Sequence, residues 1–149
     1  MSTTREHRRN LALGGLVALV PTSFALVKGA QVLGIPGLPR VLTMASGLLV
    51  VVVGLTLVLL TLKSSGSKLE KAFLLLAGGS PAAMLICAIL HNLVYALCQV
   101  WFGADFWPRH GTDEPFFLIL AVIVCPILFV VGSIGSLVLW FRNRPLKTS

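Results

Sequence analysis

The sequence predicts an all-α integral membrane protein, an antiparallel bundle of four transmembrane helices whose third helix is kinked or broken near Gly78–Pro81. Of the 149 residues, 56% are hydrophobic and only 11% are charged, which is not the composition of a soluble domain. Four apolar runs are each long enough, at about 1.5 Å per residue, to cross a hydrocarbon core roughly 30 Å thick. These runs are Leu11–Leu33, Val41–Leu62, Ala72–Phe102 and Pro115–Phe141. They take up most of the chain, so residues 1–149 are predicted to form a single four-span membrane domain.

The net charge of +7 is distributed in a way that indicates topology rather than nucleic-acid binding. Only Lys28, Arg40 and Arg109 lie on one side of the four-span arrangement. The other nine cations flank the runs on the opposite side: Arg5, Arg8, Arg9, Lys63, Lys68, Lys71, Arg142, Arg144 and Lys147. Because Lys and Arg are retained on the cytoplasmic side, both termini are expected to be cytoplasmic, with the protein in the plasma membrane. The lipid bilayer is the expected partner, and nucleic acid is not.

The first run allows two interpretations. Arg5–Arg9, followed by an apolar stretch and then Ser23–Ala25, has the layout of a secretory signal peptide, and cleavage after Ala25 would leave three spans. Against cleavage, the apolar character continues to Leu33. Small residues also form a stripe of the kind found on packed membrane helices: Gly14, Ala18, Thr22 and Ala25. A retained first span is therefore preferred, and a cleaved one is the alternative.

The third run begins with a helix-start signal and contains an interruption. Ser67 and Glu70 fit the capping box, in which the Ser side chain caps a backbone N–H and the Glu carboxylate reaches back. The run is too long for one perpendicular span, and Gly-Gly-Ser-Pro at 78–81 interrupts it. Either the helix kinks there, or a short interfacial helix precedes a second one that starts near Pro81. A broken helix at membrane depth would be able to frame a binding site.

The third run also carries the candidate intramembrane polar site. His91 is the only histidine inside a span, and an ionisable residue in a membrane is a functional candidate by default. Asn92, Tyr95 and Gln99 lie close to it on the same helix and are expected to hydrogen-bond across the bundle. Three interpretations stay open: a neutral structural histidine, a contact to haem or quinone, and a proton relay with Tyr95. The first is preferred, so no cofactor is expected.

Small residues predict where the helices pack. The second run places Gly47 and Gly54 near Thr43 and Thr61 on one face, and the fourth places Gly132 and Ser136 on the same face as Cys125. Each run has one such face. The four faces are expected to meet at a common axis, with Cys125-Pro126 as a possible kink.

The remaining chemistry in the sequence is sparse. Asp105, His110, Asp113 and Glu114 are possible ligands of a divalent ion, but their spacing matches no metal motif, so no metal is expected. Asp113 and Glu114 instead suit the start of the fourth helix. The three cysteines contain no CxxC motif and are expected to be small buried thiols.

Because no hydrolase or phosphoryl-transfer motif is present, the sequence predicts a protein without catalytic machinery. The leading hypothesis is a structural or accessory membrane protein that packs with itself, as a homo-oligomer, or with a larger membrane complex. One alternative is an oligomeric transporter or channel unit that uses the Gly78–Pro81 break and the face of His91. The other is a redox subunit that contacts haem or quinone through His91.

Overall fold

The computed structural model describes residues 2–110 and 115–142, and within those ranges it is helical with no strand. Four long helices dominate, and a short helix α4 follows the third of them. Each long helix contains a segment that is long and apolar enough to cross a membrane. The elements are α1 (Ser2–Val32), α2 (Leu38–Leu62), α3 (Lys68–Phe102), α4 (Phe106–His110) and α5 (Pro115–Arg142).

Helix α3 is the centre of the arrangement. It packs against α2 on one side and against α5 on the other, while α1 packs chiefly against α2. In the part of the chain that the structure describes, α1 and α5 form no extended contact with each other. All four long helices nevertheless contribute to one core, in which Leu13 and Leu16 of α1 are buried and Phe129 of α5 is packed against the same cluster. The expectation that all four small-residue faces meet at a common axis is wrong for α1, because its small residues lie on the exposed side of the helix.

The contact between α2 and α3 is made by two glycines. A Cβ atom on Gly54 would lie 2.6 Å from the carbonyl oxygen of Gly78, and one on Gly78 would lie 2.7 Å from the carbonyl oxygen of Gly54. Both distances are too short for any side chain. The absence of a Cβ therefore lets the two backbones touch, as small residues do in membrane helix pairs. Leu57 and Leu74 are fully buried close to this contact.

The contact between α3 and α5 follows the same principle. A Cβ on Gly132 would lie 2.5 Å from the backbone nitrogen of Ala77 and 2.8 Å from the carbonyl oxygen of Phe73. One turn later, the ring of Phe73 occupies the space in front of Gly135. Glycines on α2 and α5 therefore hold α3 from both sides by close backbone approach.

The ends of the helices follow local rules. Gly34 and Gly37 have φ angles of 66° and 80°, a left-handed conformation that favours glycine, and they form the turn between α1 and α2. Ser67 accepts a hydrogen bond of 3.2 Å from the backbone N–H of Glu70, as the capping box predicts. Helix α3 therefore starts at Lys68, four residues before the apolar run.

Helix α3 is continuous from Lys68 to Phe102, so the alternative of a break at Gly78–Pro81 is wrong. Gly78 contacts α2, as described above, and Ser80 donates a hydrogen bond to the carbonyl oxygen of Leu76. Pro81 lies inside the helix even though it has no N–H to donate. Gly78 is therefore packed against α2, whereas Ser80 and Pro81 line open space between the helices.

Helix α5 changes from α-helical to π-helical geometry shortly before Pro126. Residues Leu120–Val124 form a π-helical turn, and the backbone N–H of Cys125 bonds to the carbonyl oxygen of Leu120. Pro126 has no N–H and its ring crowds the preceding turn of a regular helix, so a wider turn at this place relieves the conflict. The irregularity that the sequence placed at Cys125-Pro126 therefore lies just before it.

Enlarging the glycines at the helix contacts is expected to destabilise the fold. Gly54→Ala or Gly132→Ala places a methyl group against backbone atoms that cannot move aside separately, at a cost of about 1–3 kcal/mol. The change is measured as a shift in melting temperature in mild detergent. Unfolding is detected by the reaction of the helix cysteines with a thiol-specific dye. Gly79→Ala is the matched control, because its Cβ meets nothing within 4 Å. An equal melting temperature for all three variants would contradict this account of the packing.

Candidate functional site

Only some of the polar residues of the site predicted on α3 lie together in the structure. His91, Tyr95 and Gln99 are half-buried, whereas Asn92 is exposed. The opposite face is aliphatic and mostly exposed, so α3 has one side toward protein and one side outward. The four polar residues therefore do not form one pocket: the structure places Tyr95 and Gln99 in one group and Asn92 in another, and His91 is half-buried on the same helix.

The first group is an aromatic and amide cluster where α3 ends and α4 folds back. The rings of Tyr95 and Trp107 stack with their centroids 5.7 Å apart and an angle of 4° between their planes. Gln99 donates a hydrogen bond of 3.1 Å to the hydroxyl of Tyr95, and the indole of Trp107 donates one of 3.1 Å to the Tyr95 carbonyl oxygen. The polar groups of Tyr95 and Gln99 are therefore used to dock α4. Trp107 of α4 completes the cluster.

The second group consists of Asn92, which lies next to an open groove between α1, α2 and α3. The groove has a volume of about 600 Å³ and its lining is almost wholly apolar. Ala88 of α3 lies at one end of it, and Asn92 is one helical turn further along the same face. The amide of Asn92 donates to the carbonyl oxygen of Ala88 at 2.8 Å. Asn92 therefore lies beside this groove, apart from the cluster around Tyr95.

Gly47 belongs to the groove as well. The sequence assigned it to a helix contact, together with Gly54, but a Cβ on Gly47 would meet nothing within 4 Å. The small-residue face of α2 is thus divided along its length. Gly54 and Thr61 are buried against neighbouring helices, while Thr43 and Gly47 line the groove. By contrast, Gly132 and Ser136 on α5 are both buried.

A smaller cavity of about 170 Å³ lies deeper, between all four long helices. Pro81, Cys125 and Pro126 are among its lining residues. Cys125 of α5 lies near Cys87 of α3, and both are free thiols. The side-chain oxygens of Ser133 and Ser136 are buried with no hydrogen-bond partner among the described residues. Which cysteines meet across helices depends on the register of α5 on α3, which residue spacing along one helix does not determine.

A buried ion pair was not anticipated from the sequence. Arg9 of α1 is only 6% exposed, and its Nη2 donates to Oε1 of Glu70 at 2.6 Å. The loop between α2 and α3 closes over the pair, because a Cβ on Gly66 would lie 2.7 Å from the second carboxylate oxygen of Glu70. The carboxylate that the capping box would turn back to Ser67 therefore binds Arg9. The only sequence signal was that Glu70 is the single acid in the cation-rich loops 63–71.

The possible metal ligands are not brought together in the described residues. Asp105 pairs with Arg109 at 3.5 Å, and both side chains are exposed. Asp113, Glu114 and the side chain of His110 lie outside what the structure describes. Among the described residues, no group of three His, Cys, Asp or Glu side chains is arranged to hold a metal ion. The expectation of no cofactor, with haem at His91 as the alternative, stays a prediction.

Comparison with known proteins finds no family model, no curated protein and no solved structure that matches this chain. The function proposed below therefore rests on the geometry of the chain itself.

Removing the acid of the buried ion pair is expected to destabilise the junction of α1 and α3. Glu70→Gln leaves the buried Arg9 without a counter-charge. Breaking a fully buried ion pair costs about 3–5 kcal/mol of stability. Here we expect a loss of about 1–3 kcal/mol, because the Glu70 side chain keeps 21% exposure. Thermal unfolding in detergent measures the loss. Glu6→Gln, at an exposed acid on α1, is the control. Arg9→Leu combined with Glu70→Leu should regain part of the loss, and equal stability of Glu70→Gln and Glu6→Gln would refute the assignment.

Proposed function

We propose that this protein is a structural or accessory membrane protein that packs with itself or with a larger membrane complex. The observation that carries the proposal is an exposed small-residue face on α1. It consists of Gly14, Ala18, Thr22 and Ala25, all four of which are exposed. The sequence predicts from this face that α1 packs closely against another helix, and no helix within the described chain covers it.

The exposed face lies roughly opposite the side of α1 that packs within the molecule. At about 100° per residue, it is on the far side of the helix from Leu13 and Leu16, which are buried against α2 and α3. Cβ atoms on Gly14, Gly15 and Gly29 would all meet nothing within 4 Å. One side of α1 therefore packs within the protein, and the opposite side exposes small residues that another helix can approach closely.

Small residues suit association inside a bilayer. Lipid tails are as apolar as Leu side chains, so helices in a membrane associate by close packing rather than by exclusion of water. Glycine also weakens an isolated helix by roughly 0.5–1 kcal/mol relative to alanine. A helix that carries exposed glycines without any contact gains nothing that offsets this cost, and a partner helix supplies the contact.

The alternative of an oligomeric transporter or channel unit has no broken helix to use at Gly78–Pro81, because α3 is continuous there, and it would have to rely on the face of His91. Gly54 and Gly132 lie within the molecule, so enlarging them tests folding. A test of assembly needs a substitution on the exposed small-residue face of α1.

The assembly proposal predicts that Ala18→Leu separates the protein from its partner. A leucine in the middle of the exposed face keeps the two backbones apart, so the oligomer or the complex should dissociate while the single chain remains folded. Native mass spectrometry of protein extracted from its own membrane in mild detergent reports the subunits present. Ala45→Leu, at an exposed site on α2, is the matched control and should leave the assembly intact. Wild-type protein that comes out as a single chain would overturn the proposal.

The proposed arrangement in the membrane follows the distribution of charge. Arg8 and Arg9 on α1, Lys63 and Lys68 at the α2–α3 loop, and Arg142 at the end of α5 support cytoplasmic placement of that end of the bundle. We therefore propose four antiparallel spans in the plasma membrane, with both termini cytoplasmic. Helix α1 is retained in this proposal, because it supplies Arg9, Leu13 and Leu16 to the packed interior.

The topology predicts which sites a membrane-impermeant thiol reagent reaches from outside intact cells. In a background in which the three native cysteines are replaced by alanine, Pro36→Cys in the α1–α2 turn should be labelled. Ser65→Cys in the α2–α3 loop should be labelled only after the cells are opened. Labelling of Ser65→Cys in intact cells would show the opposite orientation, and accessibility of both sites would contradict four spans.

A further inference from the structure

The groove between α1, α2 and α3 has the shape and chemistry of a site for one lipid chain. Its volume of about 600 Å³ lies in the range of ligand pockets, roughly 300–1,000 Å³, and its lining is almost wholly apolar. The depth comes from small side chains on the three helices that surround it: Ser23, Ser46, Gly47 and Ala88. Larger side chains in these four positions would fill the space.

Two of the three hydroxyls that line the groove are already engaged. The hydroxyl of Thr43 donates to the carbonyl oxygen of Pro39 at 2.8 Å, and that of Ser46 donates to the carbonyl oxygen of Thr43 at 3.2 Å. Since these hydroxyls bond to their own helix, the groove presents a surface that favours an apolar occupant. A hydrocarbon chain satisfies this requirement without leaving a buried polar group unpaired.

The groove also has the length of a single leaflet. On α2 it runs from Thr43 to Val51, about 12 Å along the axis, compared with about 15 Å for half of a 30 Å hydrocarbon core. Val51 is near the middle of α2 and Thr43 is close to its start. The groove therefore extends from mid-membrane toward one surface, as the acyl chain of a phospholipid does.

Two polar side chains lie just beyond the outer end of the groove. Arg40 is on the groove-lining face of α2, about one turn before Thr43, and Asn92 is on the groove-lining face of α3, one turn after Ala88. Arg40 lies fourteen residues before Gly54 and Asn92 fourteen residues after Gly78, so both are about 21 Å along the helix axes from that contact. Both side chains are exposed, at the level where a phosphate group would be.

We propose that the groove binds one acyl chain of an anionic phospholipid, whose phosphate is held by Arg40 and Asn92. Arginine binds phosphate through paired N–H donors, and the amide of Asn92 adds a neutral donor. Within the described residues Arg40 has no carboxylate partner, so its charge is available to a ligand. The proposal rests on the membrane location proposed above but not on assembly through α1.

The test measures lipid binding to delipidated protein in mild detergent by native mass spectrometry. The probes are dioleoyl phosphatidylglycerol, which is anionic, dioleoyl phosphatidylcholine, which is zwitterionic, and glycerol phosphate, which has no chain. We expect one tightly bound phosphatidylglycerol and about fivefold weaker binding of phosphatidylcholine, the size of effect that one cation contributes at a membrane surface. Glycerol phosphate should not bind, because the chain contributes most of the affinity.

Two variants separate the contributions of the chain and the headgroup. Gly47→Leu fills the groove and should weaken both lipids at least tenfold, since each methylene that is kept out of the groove costs about fourfold. Arg40→Gln should lower the affinity for phosphatidylglycerol to that for phosphatidylcholine. Ala45→Leu on the opposite face of α2 and Lys28→Gln at the same end of the bundle are the matched controls, and both should bind as the wild type does.

Several results would overturn the proposal. These are equal affinity of the wild type for the two lipids, unchanged binding by Gly47→Leu, or binding of glycerol phosphate alone. If Gly47→Leu does not fold, Ala88→Leu fills the same groove from α3 and is judged by the same criterion. Ala18→Leu, which tests assembly, should keep wild-type lipid affinity, so a failure of one proposal is distinguishable from a failure of the other.

Discussion

The fold depends on close backbone contact at the two sides of α3. Gly54 and Gly78 bring α2 and α3 together, and Gly132 seats α5 against the backbone around Ala77. In a bilayer such contacts must supply most of the association energy, because the surrounding lipid is as apolar as the side chains. Dispersion falls steeply with separation, so one added methyl group matters at these positions. The remaining packing, including the buried leucines of α1, is built around this three-helix centre.

The position of α1 follows from that centre and explains two features of the surface. It packs chiefly on α2, with Arg9 bound to Glu70 at one end of the molecule. Its small residues are left on the outer side, where a partner helix is able to approach. Further along, α1, α2 and α3 separate enough to leave the groove that contains Gly47. Small residues thus make a close helix contact at Gly54, leave an open groove at Gly47 and form the exposed face of α1.

Most of the polar residues of the long helices whose contacts are described bond to other parts of the protein. Tyr95 and Gln99 hold Trp107 and so fix α4 at the end of α3. The hydroxyls of Thr43 and Thr61 bond to carbonyl oxygens of their own helix, which lowers the cost of placing them in apolar surroundings. Asn92 and Arg40 differ, since each has donors beyond those that the described contacts use. This difference is why the groove, rather than the face of His91, is the better place for a ligand.

The sequence by itself determined the four long apolar helices, the start of the third at Ser67 and an irregularity close to Pro126. These are local properties, set by hydrophobic length, by backbone freedom and by capping. The tertiary structure alone decided which side of each helix is covered. Gly47 and Gly54 lie on one face of α2, and only the course of α3 separates an open groove from a packed contact. Arg9 and Glu70 are 61 residues apart, and their pairing depends on how α1 lies beside α3. Periodicity gives a face to each helix but carries no information about its neighbour, because small residues suit any close approach.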